Sequence, residues 1–231
     1  MDKNEEHLLD NPIWNALASG NKDLSRGTGN AKYFRRDIAF FAGLKNNSEQ
    51  DFRELHLLFR EKEPAVLFLP ETIKIPAEWT ISVEKKLLQL TGENCKIPSY
   101  KEDDILPLGE QNIGEMLRLT SLTNPGPFLD RTIEFGNYEG IFDGENLVAM
   151  AGQRLQPGKY TEISAVCSHP DHVGKGYASR IIRSQIRKIK EEGRIPFLHV
   201  LPDNSPAYKL YEKLGFTVRK ELWVYVIEKS Q

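Results

Sequence analysis

Asn204-Ser205-Pro206-Ala207-Tyr208-Lys209-Leu210-Tyr211-Glu212-Lys213-Leu214-Gly215-Phe216 follows an apolar run, Pro196 to Leu201, with the character of a strand. Ser205-Pro206 predicts a helix start, because proline in the first turn gives up no hydrogen bond that the helix would make. Gly215 predicts its end, and Ala207, Leu210 and Leu214 fall on the face that carries Tyr211. Earlier in the chain, His169-Pro170-Asp171-His172-Val173-Gly174-Lys175-Gly176-Tyr177-Ala178-Ser179 joins a strand, Tyr160 to Ser168, to a helix from about Gly176 to Glu192. Ile181, Ile182, Ile186 and Ile189 are the buried stripe of that helix, and Gly193 closes it. A glycine-bearing turn at a helix start presents unpaired N–H groups and the positive end of the helix dipole, which suits a phosphate. Lys175, Arg180, Arg183, Arg187, Lys188 and Lys190 follow with no acidic residue between Lys175 and Lys190, which favours a polyanionic ligand. The turn lacks the Gly-Lys-Ser/Thr ending of a Walker loop. The next strand ends in His199-Val200-Leu201 and lacks the acidic residue of a dinucleotide fold.

Working outward, Ile105 to Leu108 reads as a short strand and Gln111 to Leu122 as a helix, broken by Thr123-Asn124-Pro125-Gly126-Pro127. Strands follow at Tyr138 to Phe142, Asn146 to Arg154 and Tyr160 to Ser168, and a last one at Thr217 to Ile227. Antiparallel strands followed by two strand–helix steps predict an α+β fold, an α/β/α arrangement around a mixed, mostly antiparallel sheet. The polar stretch Lys96 to Asp104 reads as a linker, dividing the chain into residues 1–100 and 101–231. The first hundred residues read as a small α/β module. Asp10-Asn11-Pro12 starts a helix through Asn15 to Leu17, and Glu49 to Glu61 forms a helix burying Phe52, Leu55, Leu58 and Phe59. Ala65 to Leu69 is a buried strand, and Glu84 to Leu90 a helix stopped near Gly92.

With 231 residues, 39% hydrophobic and 28% charged, the chain has the composition of a globular protein. Its net charge of -2 argues against a dedicated nucleic-acid binder. Cys95 and Cys167 cannot complete a four-ligand zinc site, and His169 with His172 has no third ligand nearby, so no metal is expected. Free cysteines point to a reducing, cytoplasmic compartment. The polar start and the shortness of every apolar run predict neither secretion nor membrane insertion.

The Asn-x-x-Ala-x-x-Leu-Tyr-x-x-x-Gly-Phe run, placed after the glycine turn, resembles the GNAT superfamily of acyl-CoA-dependent N-acyltransferases. It looks most like the branch of glycine N-acyltransferase-like domains, over roughly Asp104 to Ile227. The resemblance implies acetyl-CoA as cosubstrate and a primary amine of a small molecule, amino acid or peptide as acceptor, with no metal, and allows a homodimer. It implies that Val166, Cys167 and Ser168 pair with the pantetheine arm. Val173, Gly174, Lys175, Gly176, Tyr177, Ala178 and Ser179 would hold the pyrophosphate, with Asn204 nearby. Val173 departs from the Gln or Arg usual there, which removes a side chain but not the backbone contacts. Tyr211 matches the tyrosine that protonates the departing thiolate.

Glu162 is the first candidate for the base, because it stands where some members carry one; His199 is the second. Strand alternation sets Glu162, Ser164, Val166 and Ser168 on one face and Ile163, Ala165 and Cys167 on the other. Phe128, Arg131 and Tyr138 fall where the family places acceptor-binding loops. One hypothesis makes the first hundred residues a degenerate partial copy of the same fold that shapes the acceptor pocket. The alternative function is a CoA-binding regulatory module of this fold that does not catalyse transfer.

Overall fold

The computed structural model describes residues 7–98 and 103–230. Helix α1 (Pro12–Ala18) has proline at its first turn, and strands β1 (Ser25–Arg26), β2 (Ala31–Phe34) and β3 (Ala42–Leu44) form a small antiparallel sheet. Helix α2 (Glu49–Leu58) is capped by the Ser48 hydroxyl, which accepts from the Asp51 amide, and buries Phe52 and Leu55. Strands β4 (Ala65–Leu69) and β5 (Trp79–Thr91) follow.

Beyond the residues left undescribed come β6 (Leu106–Pro107), α3 (Ile113–Thr123), β7 (Glu139–Asp143), β8 (Asn146–Gln153) and β9 (Tyr160–Ser168). Helix α4 (Tyr177–Glu191), β10 (Ile195–Val200), α5 (Ser205–Lys213) and β11 (Thr217–Lys229) complete the chain. The second sheet has the order β4-β11-β5-β10-β9-β8-β7-β6, and only β9 and β10 pair in parallel within it. This is the mixed, mostly antiparallel α/β arrangement expected.

Two expectations are corrected. Glu84 to Leu90 is not a helix but part of β5, which pairs along its length with β11 and, through Leu88 to Thr91, with β10. Glu-Lys-Lys-Leu-Leu-Gln-Leu is a run of good helix formers, and pairing on both edges overrides that propensity. The second correction concerns β9. Its pairing with β8 steps from Met150↔Cys167 to Gly152↔Ser164, so β9 carries an extra residue there, and Ala165 stands at φ 53°. A bulge of this kind reverses alternation. Val166 therefore packs with Ile163 against α4 and α5, while Ala165 and Cys167 face the opposite core.

The expected division at 100/101 falls outside the described residues. Strands from both sides of it interleave in one sheet, since β5 lies between β10 and β11. One core, with Ile163, Ile181, Ile182, Ile186, Leu198, Tyr211 and Phe216, lies under α4 and α5. The opposite face is covered by the N-terminal residues Leu9, Ile13, Phe34 and Phe41. Among the described residues no helix is long and apolar enough to cross a membrane.

Candidate active site

Strands β9 and β10 pair as Ile195↔Tyr160, Pro196↔Thr161 and Phe197↔Glu162, and their pairing ends there. β9 runs on to Ser168 and β10 to Val200, so the two strands diverge beyond a vertex at Glu162 and Phe197. Diverging parallel strands leave facing backbone groups without a ladder partner, which is where an extended ligand can insert its own amides. Val166 and Ser168 are half-buried along this opening, while Cys167 turns into the core. Burial pushes the Cys167 thiol up to about 11, so it is held as a neutral thiol at ordinary pH.

The turn that follows is exposed from Val173 to Gly176. Gly174 stands at φ 86° and Gly176 at φ 79°, and a Cβ on either would meet nothing within 4 Å. Glycine is therefore required here by backbone conformation and not by space. Gly176 caps α4 without any side-chain bond, leaving the first-turn amides of Tyr177, Ala178 and Ser179 with no intrahelical partner.

Gly176→Ala is expected to cost about 1–2 kcal/mol in a urea melt, the penalty of a left-handed L-residue. Because the added methyl meets open space, any loss of ligand affinity beyond that of a matched exposed-surface control reports on the turn itself.

The basic face of α4 is largely committed within the fold. Lys188 pairs with Glu139 at 2.9 Å, Arg180 with Asp104, and Lys190 donates to the Glu93 carbonyl at 2.9 Å. Lys175, beside the turn, lies 3.2 Å from His172 Nδ1.

Tyr211 projects from α5 into the core shared with Ile163, Leu198, Val200 and Phe216, against which Val166 and Tyr177 also pack. It is 8% exposed, and burial pushes its phenol up to about 12. Asn204 is exposed and caps α5, its side chain accepting from the Ala207 amide at 3.3 Å.

Glu162 and His199 do meet, at the vertex. His199 Nδ1 is 2.6 Å from Glu162 Oε1, and Arg154 grips the same carboxylate with Nε at 2.9 Å and Nη2 at 2.6 Å. Burial would raise this carboxyl. The charge of Arg154, then that of His199 once it is protonated at the low pH where this carboxyl titrates, and the hydrogen bonds from both outweigh that effect and hold it at about 2. A carboxylate that is 1% exposed and this acidic is a poor base near neutral pH.

Arg154 is the site residue that sequence reading missed. Its only sequence signal is a cation ending the apolar strand Leu147 to Gln153.

Whole-chain comparison decides the family. A crystal structure from Novosphingobium aromaticivorans DSM 12444, of a protein assigned to the GNAT acetyltransferases, superposes with a TM-score of 0.91 at 32% identity. The match covers 98% of this chain and 100% of that one. The chain belongs to the GNAT family. An FR47-like family model matches residues 138–224 of this GNAT chain, from the start of β7 into β11. Mycothiol acetyltransferase of Corynebacterium glutamicum (strain R) is 33% identical over 86 residues, 37% of this chain and 30% of the relative. That of Corynebacterium efficiens is 31% identical over 117 residues, 50% of this chain and 38% of the relative. The match thus spans about a third of the length of these curated relatives.

The three residues expected to fall in acceptor loops differ in access. Phe128 stacks edge-on against Tyr138 at 5.6 Å. Tyr138 is 3% exposed, its ring lies over Gly152, and burial raises its phenol above the ordinary range. Arg131 is half-exposed and bonds to Glu134, which also holds Arg35 of the N-terminal region. Among the described residues, no group of three or more His, Cys, Asp or Glu could hold a metal.

Proposed function

We propose that this GNAT protein transfers the acetyl group of acetyl-CoA directly to a primary amine of a small molecule, amino acid or peptide. The observation that carries the reading is the opening between β9 and β10, flanked on one core by Tyr211 and by Tyr177, the residue directly after the glycine turn. The residues present fit acetyl-CoA as substrate. Exposed left-handed glycines leave the α4 amides open to a pyrophosphate, and the bulged stretch around Val166 to Ser168 offers backbone groups to a pantetheine arm. Donor and acceptor bind together. The amine attacks the thioester carbonyl, amides of β9 stabilise the oxyanion, and the C–S bond breaks to release CoA thiolate.

A phenol near 12 is a weaker acid than a thiol near 8.5, so Tyr211 stabilises the thiolate chiefly by donating a hydrogen bond. Because both ends of Glu162 are occupied, the ammonium proton of the acceptor leaves through water and not to Glu162. Phe128 and Arg131 line the acceptor side, which the N-terminal residues help to shape. The Asn204 to Phe216 run favours the glycine N-acyltransferase-like branch, and two buried free thiols suit a reducing cytoplasm.

The purified protein is to be titrated with acetyl-CoA, CoA and longer acyl-CoAs while heat and free thiol are read together. Micromolar acetyl-CoA binding with slow thiol release, accelerated by an accepted amine, is the expected result. CoA binding without thiol release across a broad amine panel would favour a regulatory module, and no CoA binding would overturn the reading of residues 173–179.

A further inference from the structure

A row of polar side chains crosses five adjacent strand positions at the vertex. Arg154, directly after β8, holds Glu162 of β9, and Glu162 holds His199 of β10. His199 stands opposite Gln89 of β5 in the ladder, with His199 Nε2 and Gln89 Nε2 3.1 Å apart. Gln89 Oε1 accepts from Arg219 Nε of β11 at 2.5 Å, and Arg219 in turn pairs with Asp10. Arg219 reaches this position because it is the extra residue of a bulge, where β11 steps from Val218↔Leu90 to Lys220↔Gln89. Burying such a row is costly unless every member is satisfied.

The orientation of the Gln89 amide follows from its ends. Its oxygen must face the Arg219 guanidinium, which has only donors, and its nitrogen donates to the Leu9 carbonyl at 2.9 Å. Turning the amide over would set N–H against N–H at Arg219 and oxygen against oxygen at Leu9. The second amide hydrogen is therefore left for His199 Nε2, which must accept. His199 Nδ1 then carries the proton and donates it to Glu162. Charge agrees: Arg154 balances Glu162, and Arg219 with Lys220 already faces Asp10, so a second proton on His199 would be an unmatched buried charge. The other rings against His199, Phe68 at 4.9 Å and Phe197 at 5.5 Å, offer no counter-charge.

We infer that Gln89 is a positioning residue that fixes His199 as the neutral Nδ1–H imidazole, joining β9, β10 and the N-terminal turn at Leu9 across the vertex of the opening. His199 therefore has no free lone pair with which to deprotonate an acceptor. The tautomer follows from hydrogen bonding alone; its importance for catalysis rests on the function proposed above.

Long-range nitrogen–proton NMR of the uniformly 15N-labelled full chain at pH 7 tests it, with His199 assigned by the signals lost in His199→Gln. The expected pattern is a pyrrole-like Nδ1 and a pyridine-like Nε2. An imidazolium, or the reverse tautomer, in the wild-type spectrum would overturn the inference whether or not the protein transfers acetyl groups. Gln89→Glu replaces the donor by a carboxylate acceptor, so His199 is expected to lose its pyridine-like signal and take a second proton. An unchanged His199 pattern in folded Gln89→Glu protein would overturn the role of Gln89. Should that variant fail to fold, Gln89→Met, which removes the donor to Nε2 at similar side-chain length, is expected to raise the doubly protonated share of His199, and an unchanged pyridine-like Nε2 would count against the role of Gln89. Thiol release measured on the same samples separates failure of the proposed activity from failure of the tautomer assignment.

Discussion

Tyr211→Phe is expected to lower kcat for acetyl transfer by about 10- to 100-fold and to leave the KM for acetyl-CoA nearly unchanged. A hydrogen bond to a charged group is worth about 1.5–3 kcal/mol, and each 1.36 kcal/mol is tenfold in rate. The thiolate is charged only as the C–S bond breaks, so the lost bond belongs to the transition state and not to the bound substrate. Phenylalanine keeps the ring that packs against Phe216, 6.1 Å away between centroids, so the fold is expected to hold. Because burial pushes the phenol up to about 12, the wild-type tyrosine stays protonated through pH 10. No fall in rate up to that pH should depend on Tyr211. A kcat within twofold of wild type for the Phe variant would remove Tyr211 from the chemistry and leave it as core.

Arg154→Leu is expected to destabilise the fold by about 3–5 kcal/mol, because it leaves the Glu162 carboxylate buried with His199 as its only remaining side-chain partner. The double variant Arg154→Leu with Glu162→Gln should recover much of this loss, since it removes the unpaired buried charge while the amide oxygen still accepts from His199. Urea denaturation of the two variants and the wild type decides the point. Equal instability of single and double variants would mean that Arg154 matters through its contact with Phe41, 4.7 Å from the guanidinium to the ring centroid, and not through charge.

The pH dependence has a definite sign. Glu162 is more acidic folded than unfolded, so its ion pair contributes stability above the ordinary carboxylate range, and that contribution is lost as pH falls from about 4.5 toward 2. The Arg154→Leu variant should lack this acid-side loss.

Much of the C-terminal half was legible as sequence because its signals are local. Pro206 and Gly215 bound α5, the isoleucine stripe of α4 repeats at helical spacing, and Gly174 and Gly176 take the positive φ that a turn into that helix demands. The FR47-like match, residues 138–224, covers this same stretch. Glu162 and His199 were also picked out, by resemblance to positions where family members carry a base or a carboxylate.

Their chemistry was not legible, because basicity depends on what a folded neighbour supplies. Arg154 lies eight positions before Glu162, just past the end of the neighbouring strand, and Gln89 lies 110 positions before His199. Neither spacing has a period that a sequence pattern can register.

The sequence by itself determined the starts of α1, α4 and α5 and the glycine turn, since caps and side-chain periodicity act over one or two turns of chain. Only the tertiary structure decided that Glu84 to Leu90 is strand, that a bulge at Ala165 turns Val166 away from Glu162's face, and that the candidate bases are saturated. Those outcomes are set by edge pairing and by burial of charge. Both are long-range terms, large enough to override a local propensity of about 0.7 kcal/mol per residue.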